Sequence, residues 1–135
     1  MKLPEDLEFS KKLIDKMGEK AVLISDALSF GEIMGVISAS EILIGMRLHS
    51  LIYASGANVP TLAVSYDPKV DGFAEYIGLT DIIDVTDFSK ESFTKLGTEI
   101  LENSEEIKSK MNDVVKDLSI KAKENAKIAI NLIKN

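Results

Sequence analysis

The only Arg and the only His of the chain stand two residues apart, in Gly45-Met46-Arg47-Leu48-His49-Ser50. Arg carries a planar fork that meets a carboxylate or phosphate with two parallel hydrogen bonds, which Lys cannot do. With 15 Lys in the chain, ordinary surface charge is supplied by Lys, so a lone Arg in a turn points to a need for geometry. His adds a group that titrates near neutrality and can move a proton. The bland alternative is a surface ion pair for Arg47 and a core histidine bonded to a backbone carbonyl for His49. A second cluster, Ser65-Tyr66-Asp67-Pro68-Lys69, repeats the pattern of apolar run, tight turn and helix start. Here Asp67 suits an N-cap, Pro68 suits the first helical position, Lys69 is a second cation, and Tyr66 reads as a packing ring. For Lys69 the plain alternative is a solvated side chain.

The elements that must hold these residues follow from the apolar pattern. A helix is expected from Asp6 to Met17, with Leu7, Leu13, Ile14 and Met17 near one stripe and Gly18 ending it. Four aliphatic runs, at 21–24, 42–45, 61–65 and 82–85, read as strands buried on both faces. Between them, Ser29 and Glu32 have capping-box spacing at a helix start, and Gly31 and Gly35 inside that helix suggest close packing. A helix over Leu48–Ala54 ends near Gly56. From about Ser89 the chain is helical, with a joint at Asn103-Ser104 where Asn103 caps and Glu106 answers. Beyond it Ile107, Met111, Val114, Leu118, Ala122, Ala129 and Leu132 form one long stripe over 104–133, a helix lying across its own domain or reaching to a neighbour.

Strands alternating with helices give a Rossmann-like α/β fold with a mainly parallel sheet, expected as a single domain over 1–135. In such sheets ligands bind outside the carboxyl ends of the strands, which is where both clusters fall. Helix starts there also offer free backbone amides to an anion.

The composition closes other routes. No Cys removes disulfides, thiolate metal sites and cysteine nucleophiles, and one His makes a protein-built transition-metal site poor. A formal charge of −6 with one Arg leaves no electrostatic footprint for nucleic acid. No apolar run is long enough for a membrane span and nothing at the start reads as a signal peptide, so a cytoplasmic location is expected. Neither GxGxxG, Walker A nor GxSxG occurs, and no paired carboxylates suggest a glycosidase.

The stretch Ile42-Leu-Ile-Gly-Met-Arg-Leu-His-Ser-Leu-Ile-Tyr-Ala, followed by Val64-Ser-Tyr-Asp-Pro-Lys-Val-Asp-Gly-Phe, resembles the polysaccharide pyruvyl transferase family, above all members that modify bacterial cell-wall polymers. The resemblance runs from about Pro4 to the last helix. It implies the C-terminal, donor-side half of a two-domain fold similar to GT-B glycosyltransferases. The implied activity is transfer of a pyruvyl group from phosphoenolpyruvate onto two sugar hydroxyls as a cyclic ketal, releasing phosphate. It further implies donor-site, catalytic roles for Arg47 and His49 with Lys69 as a partner in substrate binding, and Gly45, Leu48 and Tyr66 of the same two turns are expected as further substrate contacts. No metal or other cofactor is called for. The family's enzymes are more than twice this length, so the acceptor half is expected outside this sequence and the chain alone is expected to be inactive. A lipid-linked acceptor would place the enzyme at the inner face of the membrane. Two other readings compete: the nucleotide-sugar half of a GT-B glycosyltransferase or epimerase, and a non-catalytic module that binds a partner through Ile107 and Leu118 of the last helix.

Overall fold

A computed structural model describes residues 4–134. The chain falls into two compact units, residues 1–31 and residues 32–135.

The first unit holds helix α1, Pro4–Met17. Gly18 follows it with φ at +65°, a left-handed conformation that costs glycine little, so the helix stops there and the chain enters a 3-10 turn, Gly18–Lys20. The aliphatic run 21–24 is the one expected strand that does not form: its backbone pairs with no other strand among the described residues. The run alternates half-buried and exposed, and Val22 is 88% exposed. The residues have strand character, but strand structure requires a ladder with a neighbouring strand, and among the described residues the ladders join only β1, β2 and β3, the strands at 43–45, 61–65 and 82–84.

The second unit is built on three parallel strands, β1 (Leu43–Gly45), β2 (Thr61–Ser65) and β3 (Ile82–Asp84), in the order β1-β2-β3. Gly45 sits opposite Ala63, and Ser65 opposite Asp84. Helices α2 (Phe30–Ser38, beginning just before this unit), α3 (Leu48–Gly56), α4 (Pro68–Tyr76), α5 (Lys90–Glu102) and α6 (Ser104–Lys134) complete it. The architecture is the Rossmann-like α/β class that the alternating pattern predicts, with a long C-terminal helix.

The central strand explains its own sequence. All five residues of β2 are buried, as a run without polar alternation requires. Ala63 faces a core of Leu51 from α3, Val70 and Ala74 from α4, then Ile77 and Leu79. Its neighbours Leu62 and Val64 point to the other face, where Ile83 and Ile100 from α5 cover them with Phe93 and Leu96. Helices therefore lie on both sides of the sheet. Both faces reach α6 as well: Val114 and Leu118 pack on the first core and Ile107 on the second. Those two anchors, Ile107 and Leu118, are thus spent inside the unit, which removes them as a partner-binding surface.

Two local expectations need correcting. A Cβ placed on Gly31 or Gly35 meets nothing within 4 Å, so neither serves close packing. Gly35→Ala is accordingly expected to stabilise the fold by about 0.5–1 kcal/mol, read from the denaturation midpoint. At the α5–α6 joint, Asn103 does not cap forward: its side-chain amide donates back to the Glu99 carbonyl at 2.8 Å, while Glu106 pairs with Lys110. By contrast α5 opens on a true capping box, with Ser89 and Ser92 each bonding the other's backbone amide.

Candidate functional site

The two motifs lie at one edge of the sheet, beyond the C-terminal ends of adjacent parallel strands. β1 ends at Gly45 and α3 begins at Leu48, so Arg47 is the N-cap residue of α3. Its backbone is extended, with φ −101° and ψ 132°, and its own side chain makes no capping bond to the helix. α3 thus begins without the N-cap side-chain oxygen that commonly sits on the first-turn amides at the positive end of a helix dipole.

A tight fit keeps this turn in place. Gly45 is buried, and a Cβ there would stand 2.7 Å from Ser50 Oγ and 3.0 Å from a methyl of Leu51. Ser50 Oγ in turn donates to the Arg47 carbonyl at 2.6 Å, and the Ser50 amide donates to the same carbonyl at 2.9 Å. Gly45 is therefore needed for the close approach of β1 to the start of α3. Leu48 is half-buried, whereas Arg47 and His49 are exposed. The core-histidine alternative is thereby removed. His49 lies beside Tyr53 one turn on, ring centroids 6.3 Å apart and inclined at 51°.

The second motif differs in its electrostatics. Asp67 caps α4, accepting from the Lys69 amide at 3.0 Å, with Pro68 at the first helical position, as its sequence predicts. The Lys69 ammonium folds back onto the same carboxylate at 2.9 Å. That bond, then the amide, holds the Asp67 carboxyl below the ordinary range, and Asp67 raises Lys69 in return. Tyr66 is 56% exposed and does not pack as expected. One helix start at this edge thus lacks a cap from its own N-cap residue, and the other is capped by its own aspartate.

The pairing has a pH signature. A carboxyl depressed in the fold stabilises it at neutral pH and ceases to do so as pH falls through the lowered value; an ammonium raised in the fold acts until pH rises through its own value. The Asp67 cap is therefore expected to survive below pH 3.8, the ordinary carboxyl value, and to open only further into acid. The Lys69 amide shift, followed by NMR across an acid titration, checks it; a midpoint at or above the ordinary value contradicts the pairing.

Sequence reading passed over three groups at the same edge. Ser50, three residues past Arg47, shows its role only once the turn is folded. Ser65, at the end of β2, is 1% exposed, with its hydroxyl 3.5 Å from the Asp67 carbonyl. Asp84 lies opposite Ser65 at the end of β3, where it accepts from the Thr86 amide at 2.8 Å. Its position two strands from Arg47 is legible only from the strand order. No cluster among the described residues could hold a metal ion. The cavity between Ile77–Asp81 and α6, of about 200 Å³, opens before β3, at the opposite edge of the sheet.

Residues 2–68 match the family model described as Polysaccharide pyruvyl transferase. The chain belongs to the polysaccharide pyruvyl transferase family. The matched region contains the whole Arg47–His49 turn and ends at Pro68, one residue before Lys69. No curated protein and no solved structure gives a significant match. Membership of the transferase family rests on the half of the chain that carries the start of α3. No helix among the described residues is long and apolar enough to cross a membrane.

Proposed function

We propose that this chain is the donor-binding part of an enzyme that moves a pyruvyl group from phosphoenolpyruvate to a sugar of a cell-surface polysaccharide, forming a ketal. The observation that carries it is the exposed Arg47 and His49 at the uncapped start of α3, inside the family match. Phosphoenolpyruvate has a carboxylate and a phosphate, and a guanidinium fork beside the first-turn amides of a helix suits either. In the reaction the methylene carbon gains a proton as a sugar oxygen bonds to the adjacent carbon. A second hydroxyl then forms the other C–O bond as phosphate leaves. His49 is placed to move a proton in these steps, with Arg47 balancing charge on the donor.

Lys69 joins as a second cation along the same edge, and the backbone of Gly45 and Leu48, with the Tyr66 ring, completes the contacts. The acceptor sugar, on a lipid carrier, is held mainly by a domain outside this sequence, the other half of a GT-B-like enzyme working on the cytoplasmic face of the membrane. The single α/β domain envisaged for 1–135 is the donor half of that enzyme.

The direct test is titration with phosphoenolpyruvate, watching the His49 ring and the Arg47 side chain by NMR. Both signals are expected to move together and to return as salt is raised. Unmoved signals at millimolar ligand overturn the donor-site reading.

A further inference from the structure

The stripe of α6 that packs on the two cores ends at Leu118, but the helix continues to Lys134. Every residue from Ser119 to Ile133 is exposed, including Ile128 at 58%, Leu132 at 74% and Ile133 at 85%. An aliphatic cluster of this kind in water marks a surface made for contact.

Two features indicate what it contacts. The first is charge. From residue 119 onward the sequence has four Lys against one Glu, whereas the chain before it has 12 basic and 21 acidic residues. This is the one cationic end of an acidic protein. The last turn lies roughly 24 Å beyond Leu118 along the axis, about three Debye lengths at physiological salt, so the acidic body barely screens it. The second is the width of the apolar face. At 3.6 residues per turn, Ala122, Ala126, Ile128, Ala129, Ile130, Leu132 and Ile133 spread over roughly 200° of the circumference, an arc that Lys121 and Asn125 also enter. A seam against a single helix uses a narrower stripe, so aliphatic side chains spread this widely suit a broad apolar surface above a basic face. Lys123 and Lys127 stand together on the opposite face; Lys121 is engaged by Asp117 at 2.6 Å. Ile120 lies outside the apolar arc.

We propose that α6 from Ser119 onward lies in the plane of an anionic lipid surface, its aliphatic face among the acyl chains and its lysines at the headgroups. A second copy fits less well, because pairing these ends would bring two cationic segments together. The contact is separate from donor binding at Arg47 and stands or falls on its own.

The test is co-sedimentation of the whole chain with vesicles, of phosphatidylcholine alone or mixed with phosphatidylglycerol, at low and high salt. Binding to the mixed vesicles and its loss at high salt are expected, with little binding to phosphatidylcholine alone. A lysine near an anionic surface is worth about fivefold in affinity, so Lys123→Glu/Lys127→Glu is expected to weaken binding at least twentyfold, roughly the two contributions multiplied. Ile128→Asp/Leu132→Asp is expected to abolish it. All four positions are exposed, so circular dichroism should show the fold unchanged and the phosphoenolpyruvate titration should be the same in both variants. No binding to mixed vesicles, or binding indifferent to the lysines, overturns the proposal. So does a dimer in sedimentation that Ile128→Asp/Leu132→Asp converts to monomer while no variant binds lipid.

Discussion

Arg47→Lys is expected to weaken phosphoenolpyruvate binding by roughly ten- to a hundredfold although the charge is kept. A charge-assisted hydrogen bond contributes about 1.5–3 kcal/mol, and the change removes the second arm of a two-point contact. Geometry makes the substitution severe. Arg47 is at the N-cap of an uncapped helix, so its fork and the first-turn amides can approach one anion from two directions. A Lys there keeps the point charge and loses the alignment. Isothermal titration with the chain reads the effect, and the fall in affinity with salt should flatten little, since the number of charges is unchanged. Affinity within about twofold of the parent would remove Arg47 from the donor contact, because a loss that small is well below the loss of one charge-assisted hydrogen bond.

The largest loss of stability is expected from Leu51→Ala, at about 2–5 kcal/mol. Leu51 is fully buried on α3, packed with Ala63, Val70, Ala74, Ile77 and Leu79. One of its methyls also lies under Gly45, so the side chain supports the turn that presents Arg47. Truncation leaves a cavity where β1, β2, α3 and α4 meet, and a domain with a total stability of about 5–15 kcal/mol gives up a large share of it. Urea unfolding should show a lower midpoint with little change in slope. Ile52→Ala, at the next position but 39% exposed, is expected to cost far less. Equal losses at the two positions would mean that α3 does not pack through Leu51.

Much of the frame that holds Arg47 is legible before folding. The run 61–65 becomes β2 with the same bounds because its apolar centre is buried on both faces and its two polar ends, Thr61 and Ser65, turn their hydroxyls to the backbone just outside the strand. Asp67-Pro68 fixes the start of α4 because an acceptor and a residue lacking an N–H each suit one position. The run 21–24 misleads for a related reason. Apolarity gives a segment a reason to be covered, yet a strand also needs a partner for its backbone, and that partner is a property of other residues. Tyr66 and His49 were open to packing roles by residue type, and only the direction of the chain around them puts both in solvent. Gly45 is the opposite case: its neighbours Ser50 and Leu51 adjoin it in the fold, and nothing in the local spelling of the turn shows how little room they leave.

The pair formed by Lys69 and Asp67 sets a rule for whatever reaches that end of the sheet edge. The ammonium already holds a carboxylate, 2.9 Å away and on the adjoining helix cap. A carboxylate arriving from outside would replace like with like and gain little there. A phosphate, with more charge and a third oxygen, is the better competitor and can share Lys69 while Asp67 stays on the amide. If the edge holds the donor as proposed, it is expected to sort the two ends of a mixed anion, the planar end with the fork of Arg47 and the tetrahedral end with the lysine.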